Sequence, residues 1–148
     1  MYKLRHWIDK SKIDWAGLSL NPNAIDLLEK NPDKINRGFL LSNPNAIHLI
    51  EKNQDYIHIN SFWSQLSSNP NAIRLLEQNP DKIQWWWIVY NPNAIHLIEK
   101  NLDKINLGDL SSNPNAIHIL EDNLDKIVWH FGLSENPNAM HLFEKKPR

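Results

Sequence analysis

Residues 43–53 read Asn-Pro-Asn-Ala-Ile-His-Leu-Ile-Glu-Lys-Asn, "NPNAIHLIEKN". A residue that precedes proline is biased away from the helical region, so Asn43 sits outside the helix that follows. Its short polar side chain suits the free N–H groups of a first helical turn. Pro44 then occupies the first helical position, where its missing N–H costs nothing. The stretch therefore predicts a short helix of two to three turns. In the copy at residues 21–31, Ala24, Ile25, Leu27 and Leu28 fall on one apolar stripe at helical spacing, and position 26 lies on the opposite side.

The motif is not alone. "NPNAI" begins at Asn21, Asn43, Asn69, Asn91 and Asn113 and returns as "NPNAM" at Asn136, at spacings of 22, 26, 22, 22 and 23 residues. A working consensus is N-P-N-A-I-x-L-L-E-K-N-P-D-K-I-N-W-x-x-L-S-x. The second Asn-Pro, as in Asn31-Pro32-Asp33-Lys34-Ile35, starts another turn, and its Asp suits the positive end of a helix dipole. That turn cannot run on as one regular helix, because the consensus Ile and the Trp two residues later would point to opposite sides. The pattern predicts a one-turn or 3₁₀ segment and then a second short helical element carrying W-x-x-L. Trp15 with Leu18, and Trp63 with Leu66, carry it.

No single unit holds enough apolar surface to fold alone, whereas stacking consecutive units buries the Ile, Leu and Trp positions in one continuous core. The expected architecture is all-α, a small α-solenoid of ~22-residue repeats. Layers about 8–10 Å apart make a rod on the order of 60 Å long. Residues 1–20 read as a degenerate cap, with Ile13, Trp15 and Leu18 kept, Ser11 and Lys12 departing from consensus, and Asp9 in the place of the second Asn. Five repeats fill 21–135, and 136–148 read as a truncated copy whose Lys145, Lys146 and Arg148 suit the negative end of its helix.

The repeated "NPNAIHLLEKNPDKINWxxLS" pattern resembles the tandem repeats of proteins from giant DNA viruses of the Mimivirus kind. The match is carried by Asn43–Asn53, by the other copies and by Asn79-Pro80-Asp81-Lys82-Ile83, and it spans residues 7–146. Four extra residues between Ile57 and Trp63, and one near His130, depart from it. The resemblance implies a viral protein made in an infected host cell. It brings no catalytic residues to transfer.

Composition narrows the functions. Sixteen Lys and Arg balance seventeen Asp and Glu, which removes the usual electrostatic signature of a nucleic-acid binder and any attraction to an anionic membrane. There is no cysteine, hence no disulfide framework and no thiolate chemistry. "MYKLRHWIDKSK" has no apolar core of a signal peptide, and no apolar run approaches the roughly 20 residues of a membrane span. The expectation is a soluble, intracellular protein of host cytoplasm or virion. Phosphate-cradling and nucleophile-elbow motifs are absent. The four glycines, Gly17, Gly38, Gly108 and Gly132, fit turns. Acidic residues recur in every unit, as surface and caps do, so no enzyme and no cofactor are expected.

Three candidate sites remain. The first is Gln84–Tyr90, "QWWWIVY". Trp85 and Ile88 align with the core W and L positions. Trp86 and Trp87 fall on the two x positions, held elsewhere by Ala16-Gly17, Gly38-Phe39, Ser64-Gln65 and Gly108-Asp109. Most of those are small or polar, as exposed sites are. Trp86 and Trp87, extended by Tyr90, are therefore candidate hot spots for a protein partner or for self-association. Packing of Trp86 over the space left by Gly108, and a small-ligand site, are the rival readings. The second candidate is the exposed position of the first helix, which reads Asp26, His48, Arg74, His96, His118 and His141. Stacked equivalents about 10 Å apart cannot share a zinc ion whose ligand nitrogens lie within about 4 Å. The stripe is then either a repeated surface residue or a ligand-facing row, one residue per unit. The third is the insertion Ile57–Phe62, where Ile59 or Phe62 can also fold back as core. Single-stranded RNA, one nucleotide per unit, stays as an alternative ligand, against the neutral charge and the single Arg of the stripe.

Overall fold

The computed structural model describes residues 5–53, 60–127 and 132–144. Among them there are helices, 3₁₀ turns and bends, and no strand. The expected all-α class is what forms.

Two series of short helices alternate. The NPNAI series comprises α2 (Ile25–Glu29), α4 (Ile47–Lys52), α6 (Ile73–Gln78), α8 (Ile95–Glu99), α10 (Ile117–Glu121) and α11 (Met140–Glu144). The W-x-x-L series comprises α1 (Trp15–Leu20), α3 (Arg37–Leu41), α5 (Trp63–Ser68), α7 (Trp85–Ile88) and α9 (Leu107–Leu110).

The expected two-to-three-turn helix is in fact two pieces. A 3₁₀ turn covers Pro44–Ala46, Ala46 sits at φ −95° and ψ 3°, and α4 begins only at Ile47. The cause is the cap. Asn43 is extended, and its side-chain oxygen accepts from the Asn45 N–H at 3.0 Å. That bond tightens the first turn to i→i+3, as the Ala46 N–H to Asn43 carbonyl bond shows. Asn21, Asn69, Asn91, Asn113 and Asn136 accept in the same way from the N–H two residues on.

The second Asn behaves differently from a cap. Turns at Pro32–Lys34, Pro80–Lys82 and Leu102–Lys104 are 3₁₀, as the spacing predicts. Yet Asn31 and Asn79 make no capping bond to them. Their amides reach back to the Leu27 and Leu75 carbonyls, four residues earlier, at 2.8 and 2.9 Å. They satisfy acceptors that a helix C-terminus leaves open. In the N-terminal segment Asp9 does take the capping role: one carboxylate oxygen accepts from the Ser11 N–H at 3.0 Å and from its hydroxyl at 2.6 Å. The W-x-x-L helices have their own caps at Asp14, Asn36 and Asn106. Of the glycines, Gly17, Gly38 and Gly108 lie inside these helices rather than in turns. Only Gly132 turns the chain, at φ 63°.

The first Asn of each motif also joins one copy to the previous one. The Asn43 amide donates to the carbonyls of Ser19 and Asn21 at 2.9 and 3.0 Å. Asn69 donates to Leu41 and Asn43, Asn91 to Ser67 and Asn69, Asn113 to Val89 and Asn91, and Asn136 to Ser111 and Asn113. The third residue repeats the device outside: Asn45, Asn71, Asn93, Asn115 and Asn138 donate to the Pro22, Pro44, Pro70, Pro92 and Pro114 carbonyls. Asn43, Asn69, Asn91, Asn113 and Asn136 are all buried, so these amides satisfy backbone acceptors that water does not reach.

Apolar packing follows the same interval. Leu28, Ile50, Leu76, Ile98 and Leu120 of one series, and Leu40, Leu66, Ile88 and Leu110 of the other, are each 0% exposed. Among the described residues the buried side chains form two clusters: one runs from Ala24 to Ile119, and a second holds Leu120, Ile127, Leu133, Ala139 and Leu142. Among the described residues the Trp position is fully buried at Trp63, while Trp15 and Trp85 are half-buried against the first cluster. Phe62 closes a 3₁₀ turn, Asn60–Phe62, and packs on that cluster, so this part of the insertion is core. Ile57, His58 and Ile59, as well as His130, Lys145, Lys146 and Arg148, lie outside the described residues.

After the core Leu, Ser19, Ser67 and Ser111 alternate with Leu41 and Val89, and all five are buried. The Ser19 hydroxyl accepts the Asn36 N–H at 2.9 Å, and the Ser67 hydroxyl accepts the Gln84 N–H at 3.0 Å. A polar core position thus ties one W-x-x-L helix to the start of the next.

Candidate functional site

Helix α7 presents two faces. Residues 85 and 88 are three apart and share one of them. Ile88 is fully buried, and the half-buried Trp85 ring lies under the Lys104 ammonium, 4.7 Å from its centroid. Trp86 and Trp87 are turned away by about 100° per residue. They are 61% and 44% exposed, and Tyr90 is 45% exposed. The Trp87 and Tyr90 rings sit 6.4 Å apart at 55°, inside the range of favourable tilted pairs. Trp86 is not buried against Gly108. The sequence placed Trp85 and Ile88 on the core positions and left open whether Trp86 and Trp87 are exposed or packed; they are exposed.

It grouped the other x positions less well. Ser64, Gln65, Gly108 and Asp109 are half-buried, and Gln65 Oε1 and Asp109 Oδ2 are buried with no hydrogen-bond partner among the described residues. Phe39, at the position of Trp87, is 48% exposed, and Leu20, at the position of Tyr90, is 43% exposed. Polarity at these positions does not follow exposure. The apolar surface on the W-x-x-L side therefore includes Phe39 and Leu20 as well as Trp86, Trp87 and Tyr90. An aromatic at the second x position was the signal available for Phe39.

The second candidate, the stripe on the NPNAI helices, is paired within the chain. His48 Nε2 donates to Glu29 at 3.0 Å, His96 to Glu77 at 2.9 Å, His118 to Glu99 at 2.7 Å and His141 to Glu121 at 2.9 Å. The Arg74 guanidinium does the same to Glu51. Each Glu belongs to the preceding copy. Side chains in the four histidine pairs are about a third to a half exposed, so each contributes a fraction of a kcal/mol, roughly 0.2–1. A one-helix view assigned these residues to solvent. The partner comes from the helix before, which one helix's periodicity does not contain. Asp26 opens the row with the opposite charge.

Clefts open between neighbouring copies beside the second-Asn turns. One, of about 350 Å³, is lined by Glu77, Pro80, Trp85, Leu97, Lys100 and Lys104. A similar one of about 390 Å³ lies between Glu29, Pro32, Leu49 and Lys52. Both carry acid and base together and are grooves between units. Among the described residues no three His, Asp or Glu side chains converge as a metal site requires, and no helix is long and apolar enough to cross a membrane.

No family model, curated protein or solved structure matches the chain.

Proposed function

We propose that the chain is a non-enzymatic α-solenoid that binds another protein through the exposed aromatic face of α7. The stacked-repeat reading is supported by hydrogen bonds that recur between successive NPNAI copies, since each copy satisfies carbonyls of the one before it. The partner surface is supported by one observation above others. Trp86, Trp87 and Tyr90 together expose three large rings on a helix whose opposite face, Ile88, is anchored in the core.

Such an arrangement is rigid before binding. The rings lose little conformational freedom on contact, and Trp and Tyr supply most of the energy where interfaces have hot spots. Charged side chains are absent from these three positions, so a partner would meet them with apolar side chains. The resemblance to giant-virus repeat proteins implies an encounter in an infected host cell.

Affinity capture from nuclease-treated host lysate tests this reading, with wild type compared against the Trp86→Ser/Trp87→Ser variant after circular dichroism has shown both folded. A protein retained by wild type and lost from the folded variant supports the reading. Identical captures from the two overturn it.

A further inference from the structure

The cleft of about 350 Å³ beside α7 has a floor and a rim of different chemistry. Leu76 and Ile83 are buried, and Leu97 and the Trp85 ring are half-buried beside them. The rim is cationic. Lys100 and Lys104 bring two ammonium groups, against one carboxylate among the described lining residues, that of Glu77. Glu77 Oε1 already accepts the His96 Nε2 N–H at 2.9 Å. Asp103, next to Lys104 in the chain, lines the following cleft instead.

One ammonium is held in place. Lys104 Nζ donates to Asn101 Oδ1 at 3.0 Å and lies 4.7 Å over the centroid of the Trp85 ring. Asn101 is itself fixed, because its amide donates to the Leu97 carbonyl at 2.9 Å. An ammonium has three N–H donors, so Lys104 keeps donors for a ligand. Lys100 has no ion-pair or hydrogen-bond partner among the described residues.

Other copies do not assemble this set. Trp15, Lys30 and Lys34 have the same offsets, but there the Lys34 ammonium lies 3.2 Å from Asp33. Arg37 replaces the ring in the next copy, Gln78 replaces the first lysine after Trp63, and Leu107 and Asp122 replace both after that. Near 350 Å³ the cleft is at the small end of ligand sites, which run from about 300 to 1,000 Å³. It suits one ring or a short branched chain. Two ammonium groups against one carboxylate leave an excess of one positive charge, which a carboxylate matches and a dianionic phosphate overshoots. The geometry points to a binding site for a small apolar carboxylate, its ring or branched chain on Leu76, Ile83, Leu97 and Trp85 and its anionic end between Lys100 and Lys104.

Heteronuclear NMR on the 148-residue chain tests this. The probes are hydrocinnamate, its uncharged amide, and the tripeptide Gly-Gly-Phe with a free C-terminal carboxylate. Hydrocinnamate should shift the Trp85 indole and the Lys100 and Lys104 side chains, with a Kd of about 1 mM or tighter. The amide should bind about tenfold more weakly, as should the acid to the Lys100→Gln/Lys104→Gln variant. Glutamine already stands at the first of these positions as Gln78, so the fold accepts it there. Added salt should weaken the acid and leave the amide unchanged. Trp86→Ser/Trp87→Ser should bind the acid as wild type does, since neither ring lines the cleft. Equal binding of acid and amide overturns the site. So does a double lysine variant that binds like wild type, the absence of any shift at Trp85, or loss of binding in a folded Trp86→Ser/Trp87→Ser variant. Tighter binding of the tripeptide than of hydrocinnamate supports the site and assigns the carboxylate to the chain end of a protein; the reverse order supports it and assigns a free small acid.

Discussion

The side-chain amide of Asn91 donates to the backbone carbonyl of Asn69 at 2.7 Å, and that of Asn69 donates in turn to Asn43 at 3.3 Å. Cap is fastened to cap across successive copies. The same side chain uses its oxygen for the helix it starts and its amide for the helix before, so one asparagine serves local and tertiary structure at once. Aspartate, equally good as a cap, has no donor for the second task.

Asn91→Ala removes the bonds to Ser67 and Asn69 at a fully buried site and leaves the Ser67 carbonyl unsatisfied. The expected cost is about 2–4 kcal/mol. For a chain of this size that lowers the thermal midpoint by about 5–15 °C. Asn45→Ala, which loses an exposed bond to Pro22 at 3.1 Å, should cost less than about 1 kcal/mol. Calorimetry that ranks the two the other way would refute the tertiary role of the first asparagine.

Two glycines should respond with opposite sign to alanine. Gly132 has φ 63°, and a Cβ there would lie 3.1 Å from the Ser112 nitrogen and 3.4 Å from Ser111 Cβ. Gly132→Ala should destabilise by at least about 1–2 kcal/mol. Gly38 lies inside α3, where a Cβ meets only Asn36 Oδ1 at 3.7 Å. Gly38→Ala should stabilise by about 0.4–1 kcal/mol by restricting the unfolded chain. Urea unfolding curves decide both.

The His96–Glu77 pair, 43% and 50% exposed, should show a coupling of about 0.2–1 kcal/mol in a double-mutant cycle. In 1 M salt that coupling should fall toward zero. A coupling above about 2 kcal/mol, insensitive to salt, would mean that the row of Glu–His pairs is a main source of cohesion between copies rather than a minor one.

Asp9 should titrate below the ordinary carboxylate range, because the Ser11 hydroxyl and then the Ser11 N–H stabilise its ionised form. A depressed folded value means that the turn gains from this bond at neutral pH and loses it as pH falls through that value. NMR titration of Ser11→Ala should move the Asp9 value upward. No movement would show that the hydroxyl is not the cause.

Much of this molecule was legible in its residues. Asn-Pro marked the first turn of each NPNAI segment, though the α-helix itself begins four residues after the Asn, and the conflict between the Ile and Trp positions called for a 3₁₀ turn before a second helix. On α7 the helical period set Trp85 and Ile88 apart from Trp86 and Trp87, though not whether the latter pair is exposed or packed. These are local properties, set by proline's fixed φ, capping oxygens and the helical period. What each polar side chain does with its remaining hydrogen-bonding capacity is not local. The amides of Asn43, Asn69, Asn91, Asn113 and Asn136, the hydroxyls of Ser19 and Ser67, and the imidazoles of His48, His96 and His118 find partners 17 to 28 residues away. A side chain with two capacities can show one of them in its own helix. The neighbour that takes up the other is supplied only when the chain packs.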